Sequence, residues 1–470
     1  MLFSSTVFIF VFLPTVLLGY FLILRKTNIR NYWLLAASLV FYAWGEPVYV
    51  FLMLASVLGN YLLGFAIHYA QRKCARDIWL IITVILNLGA LFYFKYLNFV
   101  VENLNLLFGL NITIQKLSLP IGISFFTFQA MSYVIDVYRK TAEVQRNPFY
   151  LALYISFFPQ LIAGPIVRYN TIARQIHQRT VTLDKFQSGV IRFIQGFSKK
   201  IILSNMMALT SERVFSLAAS GELSVGLAWL GALAYTFQIF FDFSGYSDMA
   251  IGLGRMFGFE FEENFRYPYL SKSVSEFWNR WHISLGQWFR DYVYFPLGGS
   301  RVSKRKLLRN LFVVWMLTGI WHGAAWQFIV WGLAYGILIS LEKLTGIPKR
   351  LKHPAAITGY GIFTFLTVVL GWVVFGAYSF PAALYQLGAM FGQGATGIWD
   401  PLCTFTLREY GSYFLLAAVF STPLPGKLSC YIKKGTLYSI GQAFVYMMLL
   451  LISISYLFMG SHNPFIYFHF

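Results

Sequence analysis

The stretch LLRNLFVVWMLTGIWHGAAWQFIVWGLAYGILISL, Leu307 to Leu341, decides the fold class. It is apolar almost throughout, yet it carries a histidine, His322, between Gly319 and Gly323 and between Trp321 and Trp326. A membrane helix needs about 20 consecutive apolar residues. The run is therefore long enough for two short helices or for one long tilted helix.

The rest of the chain is of the same kind. Of 470 residues, 58% are hydrophobic and 12% charged, and the mean hydropathy is +0.61. A soluble domain is typically about a quarter charged. Half of that leaves too little polar surface to coat a water-soluble particle, so the sequence predicts an all-α polytopic membrane protein. No long polar segment interrupts it, and residues 1–470 are expected to form one integral membrane domain.

The formal charge is +19. The positive-inside rule and contact with anionic membrane lipid explain most of such an excess; an anionic substrate is the other explanation. The basic residues sit in short clusters between apolar runs, which argues against nucleic-acid binding. Cys74, Cys403 and Cys430 lack CxxC spacing and suggest neither a disulfide framework nor a metal site. The opening MLFSSTVFIFVFLPTVLLGYFLIL has no basic leader and is followed by Arg25, Lys26 and Arg30. That order reads as an uncleaved first span starting outside.

Further runs follow. Asn31 to Tyr69 is too long for one span, and Gly45-Glu46-Pro47 marks a hairpin within it. Asp77 to about Val101 and Leu117 to Val137 continue the alternation, with basic clusters at Arg72–Arg76 and Arg139–Arg146 on one side. Pro148 to Tyr169 is apolar but holds three prolines, which predicts a broken or re-entrant segment lining protein. Later runs cover Gly189 to Leu209, Leu223 to Phe243, Ile357 to Tyr378, Tyr413 to Phe420 and Ser439 to Met459. Roughly 10 to 12 membrane-embedded helices result. No internal repeat is visible, which gives repeat-built transporters no support.

The least membrane-like part is Phe257 to Arg305, and its central segment reads ENFRYPYLSKSVSEFWNRWHISLGQWFRDYVYFPLGGSR, Glu263 to Arg301. It mixes aromatic residues with Trp278, Asn279, Arg280, His282, Arg290 and Asp291. On one helix starting near Ser275, Trp278 and Asn279 lie a turn from His282, and Arg290 two turns beyond it. Such a stripe faces a polar cavity, or forms an interfacial helix anchored by tryptophan and arginine. Asp242 and Asp248, in FQIFFDFSGYSDMAIGLG, are either caps around Ser244-Gly245 or cavity groups that position Arg280 or Arg290.

His322 is the sharper case. Thirteen residues separate it from Arg309, whose basic cluster Lys304–Arg309 is expected in the cytoplasm. At about 1.5 Å per residue, His322 lies roughly 20 Å into the hydrocarbon. A neutral imidazole there needs a hydrogen-bond partner or a water-filled cavity, and Gly319 and Gly323 leave room for a backbone or a slender ligand. Either it is a packing histidine, or it is a general base acting on a hydroxyl. A metal site would require more ligands at local spacing; His282 and His322 are 40 residues apart, and no HxxxH, HxxE or CxxC accompanies them. No GxSxG nucleophile elbow or phosphate-binding glycine loop is present.

Four segments together resemble the membrane-bound O-acyltransferase (MBOAT) family, on its bacterial alginate O-acetylation branch. They are SFFPQLIAGPIVRY (Ser156 to Tyr169), FDFSGYSDMAIG (Phe241 to Gly252), FWNRWHISLGQWFRDYVYFPLGGSR (Phe277 to Arg301) and TGIWHGAAWQFIVWG (Thr318 to Gly332). The ending NPFIYFHF is similar too. The resemblance implies a ring of tilted helices around a central tunnel and multi-pass placement in a bacterial cytoplasmic membrane. It implies acyl transfer from cytosolic acetyl-CoA, a donor substrate rather than a bound cofactor, to a polysaccharide such as an alginate-like exopolysaccharide or peptidoglycan. His322 matches the family's catalytic histidine, and His282 its second polar position, where it would orient the thioester or stabilise the oxyanion. An extracytoplasmic partner of the SGNH-hydrolase type is implied for the onward step. Arg280, Arg290, Lys304 and Arg305 form the candidate docking surface for the anionic donor. The alternatives are D-alanyl transfer from a carrier protein in teichoic-acid modification and, from a different class, a transporter whose histidines relay protons.

Overall fold

The computed structural model describes residues 1–23, 26–115, 117–162, 164–431, 435–459 and 466; Arg25 and most of the terminal NPFIYFHF lie outside them. The described residues form helices and no strand. Among the described residues, six helices are long and apolar enough to cross a membrane: Tyr49–Tyr69, Lys73–Phe108, Val225–Met256, Trp326–Thr345, Pro354–Gly376 and Thr436–Phe458. The sequence estimate of 10 to 12 also counted apolar helices that are buried in protein or too short to span. Ile123–Tyr138, nearly every residue of which is buried, is one of these.

Two compact units make up the chain. The first comprises Met1–Phe193 and Met249–Glu262. Its helices Thr27–Gly45 and Tyr49–Tyr69 are separated at Glu46-Pro47, because a residue before proline is disfavoured in the helical region. Between Tyr49–Tyr69 and Lys73–Phe108, Asn60 and Asn87 donate an amide hydrogen to each other, at 3.1 and 2.8 Å. Side-chain amides paired in this way join helices where hydrocarbon gives no hydrophobic driving force. Lys73–Phe108 runs longer than the apolar stretch suggested and continues through a π-helical turn, Phe92–Tyr96.

The proline-rich segment is broken. Pro148–Ser156 ends at Phe157, whose ψ is 111°, and a single turn, Phe158–Leu161, follows. Its irregular backbone finds partners in protein: Phe158 N–H donates to Ser38 Oγ at 3.1 Å, and Tyr154 OH donates to the carbonyl of Val167 at 2.9 Å. Such pairing is what non-helical backbone requires where water is scarce. Arg179 fastens residues 249–262 into this unit by donating to the carbonyl of Phe257 at 3.1 Å and to Asn31 Oδ1 at 2.6 Å.

The second unit comprises Ile194–Asp248 and Glu263–Phe470. Val225–Met256 passes unbroken through Ser244-Gly245, so Asp242 and Asp248 are not caps. Each meets a lysine. Asp242 lies 2.7 Å from Lys200, with both side chains almost fully buried, and Asp248 lies 2.7 Å from Lys199. Asp242 also accepts the backbone N–H of Ile466 at 2.9 Å. The glycine at Gly245 permits this pairing, since a Cβ there would meet the carbonyl of Gly196 at 2.8 Å. The quoted run divides into Lys304–His322 and Trp326–Thr345, the two-helix option.

Candidate active site

The site is built in the second unit from a chain break rather than from one long helix. Ser273 caps the helix Val274–Arg280, its Oγ accepting the N–H of Glu276 at 3.1 Å. Glu342, reaching over from Trp326–Thr345, accepts the N–H groups of Val274 and Ser275, both at 2.8 Å, and the hydroxyl hydrogen of Tyr360 at 3.0 Å. A carboxylate at a helix start satisfies amides that have no intrahelical partner.

That helix stops at Arg280, and a second, Ile283–Phe289, begins at once. Between them His282 adopts φ +44° and ψ 53°, the left-handed region that costs a non-glycine residue energy. The single helix expected from Ser275 to Arg290 is therefore replaced by two, and Trp278, His282 and Arg290 still line one cavity.

Asn264 holds the junction. Its backbone carbonyl accepts Ile283 N–H at 3.0 Å, and its Oδ1 accepts Ser284 N–H at 3.2 Å and Ser284 Oγ–H at 2.9 Å. Its amide donates to Ser247 Oγ at 3.1 Å. His282 Nδ1 lies 3.3 Å from the same Oδ1. The ring of His282 meets Phe243 edge-on at 4.5 Å. His282 belongs to none of the six candidate spans, and burial first, then the nearby His322, pushes its pKa well below the ordinary imidazole value. It is neutral at physiological pH.

His322 is the last residue of Lys304–His322. It is buried and meets Trp321, Trp331 and Phe375 edge-on, at 5.0, 5.2 and 5.2 Å. Both histidines line one cavity of about 440 Å³, together with Trp278, Asn279, Thr318 and the cations Arg290 and Lys343. Residues 40 apart in sequence thus converge on one space.

Four other candidates lie off that wall. Arg280 pairs with Glu276 one turn back on its own helix. Asp291 accepts from Arg290 Nε at 3.0 Å. Beside Gly319 and Gly323, the room expected for a ligand is taken by Phe328. A Cβ at Gly319 would meet its carbonyl oxygen at 2.4 Å, and one at Gly323 its ring at 2.2 Å. These two glycines close the contact between neighbouring helices.

The sequence reading missed Asn264, Thr318, Glu342 and Lys343. Glu342 carried a usable signal, being an acid in an apolar helix. Asn264 carried none, since its partners come from distant turns. Among the described residues no three His, Cys, Asp or Glu side chains gather closely enough to hold a metal. Cys74 and Cys403 are free thiols.

Comparison with known proteins gives a consistent set of likenesses. The profile of MBOAT, the membrane-bound O-acyltransferase family, matches residues 26–356, which include both histidines. The probable alginate O-acetylase AlgI of Pseudomonas putida is 45% identical over 402 residues, covering 84% of this chain and 81% of that protein. A peptidoglycan O-acetyltransferase of Helicobacter pylori is 36% identical over 431 residues, 85% of this chain and 81% of that protein. A teichoic acid D-alanyltransferase of Bacillus subtilis is 31% identical over 277 residues, 55% of this chain and 69% of that protein.

Proposed function

Because the chain belongs to the membrane-bound O-acyltransferase family, we propose that this multi-span O-acyltransferase moves an acetyl group from cytosolic acetyl-CoA to a hydroxyl serving a bacterial cell-surface polysaccharide. The observation that carries the reading is the shared cavity, lined together by two buried imidazoles and by the cations Arg290 and Lys343. Two relatives that each cover more than four fifths of the chain are named for alginate and peptidoglycan, and they support that acceptor class.

In this mechanism Arg290 and Lys343 draw the anionic donor toward the cavity. The acceptor oxygen attacks the thioester carbonyl carbon, and its proton passes to His322. The tetrahedral intermediate collapses, the C–S bond breaks, and the thiolate leaves and recovers a proton from the imidazolium. A positioned base of this kind is worth roughly 10² to 10⁴ in rate. The aromatic rings around His322 exclude water that would hydrolyse the thioester. A separate extracytoplasmic acetyltransferase of the SGNH-hydrolase type carries the group to the polymer, an expectation that rests on the family resemblance.

The test is transfer of radiolabelled acetyl from acetyl-CoA in purified membranes, with the partner co-expressed, wild type against His322→Gln. Label that depends on His322 supports the proposal. Label from a D-alanyl carrier protein, and none from acetyl-CoA, would replace it with the teichoic-acid reading.

A further inference from the structure

The hydrogen bonds of Asn264 fix the position of the ring proton of His282. A backbone N–H only donates, so the Asn264 atom facing Ser284 N–H is the carbonyl oxygen. The same oxygen faces His282 Nδ1 at 3.3 Å, and an oxygen of this kind only accepts. Nδ1 must therefore carry the ring hydrogen. A neutral ring has one, so Nε2 is a bare lone pair. Nε2 is buried and meets no hydrogen-bond partner among the described residues, and His282 lines the cavity.

This assigns His282 a role different from oxyanion stabilisation, because a bare Nε2 has no hydrogen to give. It needs a donor from the substrate. A thioester itself offers only acceptors. The attacking hydroxyl has one hydrogen, which the proposed mechanism sends to His322. Of the donors on a CoA-type substrate, the amide N–H groups of its pantetheine arm lie nearest the thioester, ahead of the pantoate hydroxyl and the nucleotide.

We infer that Asn264 is a positioning residue that holds His282 in the Nδ1–H form, so that Nε2 accepts an amide N–H of the donor's arm and sets the thioester in place. The inference rests on the acetyl-CoA reading above. Leaving a buried acceptor unmet is costly, so Nε2 favours a donor that supplies the amide.

Two readouts test it. Nitrogen-15 spectra of histidine-labelled protein, with the His282 signal assigned by its loss in His282→Asn, report the tautomer without any turnover. A protonated Nδ1 in the wild type that is lost in Asn264→Leu is expected; a bare Nδ1 in the wild type overturns the assignment. In kinetics with acetyl-CoA, Asn264→Leu is expected to raise donor KM roughly fivefold, the worth of about one net hydrogen bond, with kcat little changed. The melting temperature of the leucine variant, measured beside the wild type, separates loss of the arm contact from misfolding. With S-ethyl thioacetate, which has no amide, wild type and Asn264→Leu become equal. An equal penalty on both thioesters, or a fall in kcat alone, overturns the arm contact. Absence of transfer from acetyl-CoA by the wild type overturns the donor reading and the arm contact with it, whereas the tautomer is read independently.

Discussion

Replacing Gly319 by alanine tests how the catalytic candidate is held. The added Cβ would lie 2.4 Å from the carbonyl oxygen of Phe328 and 3.2 Å from its carbon. Carbon contacts under 3.0 Å are essentially never seen, so the two helices must separate by at least 0.6 Å at this point. The obstacle is backbone, which cannot rotate aside. The facing residue, Gly332, has the same constraint, with Trp315 O 2.5 Å from its own notional Cβ. Overpacking of this type costs about 1–3 kcal/mol, against which alanine's better helix propensity returns at most about 1 kcal/mol. The kinetic effect should be larger than the stability effect, because His322 follows Gly319 by less than one turn. A displacement of about 1 Å at a catalytic group can cost about 10²-fold. The assay is thermal unfolding of detergent-purified protein beside acetyl transfer from acetyl-CoA. A variant that melts as the wild type does and transfers at the wild-type rate would refute both the close packing and its link to His322.

Four other outcomes are expected. His322→Gln keeps most of the volume inside the aromatic cage and should lower kcat by roughly 10²- to 10⁴-fold with little change in melting; an active variant would move the base elsewhere. Arg290→Ala removes a half-exposed cation from the cavity wall and should raise donor KM, more so at low than at high salt; unchanged donor KM would count against a docking role. Glu342→Gln replaces one acceptor oxygen facing Val274 and Ser275 by a donor, and should cost about 1–3 kcal/mol and reduce transfer, measured by melting and by turnover together. His282, with its folded-state pKa depressed below 6.5, binds its proton more readily when unfolded. Stability from this residue is therefore full above pH 6.5 and declines as pH falls toward the folded value. The melting temperature should fall below pH 6.5, with a shallower slope in His282→Asn, whose side chain tolerates the left-handed backbone.

The membrane class and the proline break were legible because composition and proline act locally. The break in Pro148–Tyr169 follows from the missing amide of proline, whereas the length of Leu307–Leu341 allowed one helix or two and the structure decides for two. Charged residues were legible as unusual but not as to their partners. Asp242 and Asp248 stand beside Ser244-Gly245, a sequence that looks like a helix end, yet the helix continues to Met256. It continues because Lys199 and Lys200 neutralise the two acids from another helix, and the carboxylates are then free from any need for water. No local pattern contains that information.

The junction at His282 is the instructive case. The stretch Ser275 to Arg290 contains no proline and only one glycine, so propensity favours a continuous helix. A left-handed residue in its middle survives only where surrounding contacts outweigh its strain, and strain of this kind concentrates at functional sites. Here Asn264 supplies the contacts, meeting Ile283, Ser284 and His282 through two oxygens. The same contacts that bend the chain also orient the imidazole. In a continuous helix Ile283 and Ser284 would have spent their amides within the helix, leaving Asn264 nothing to hold. The break is thus the condition for a fixed histidine facing the cavity, which is why the residue that explains it lies outside the stripe that drew attention to it.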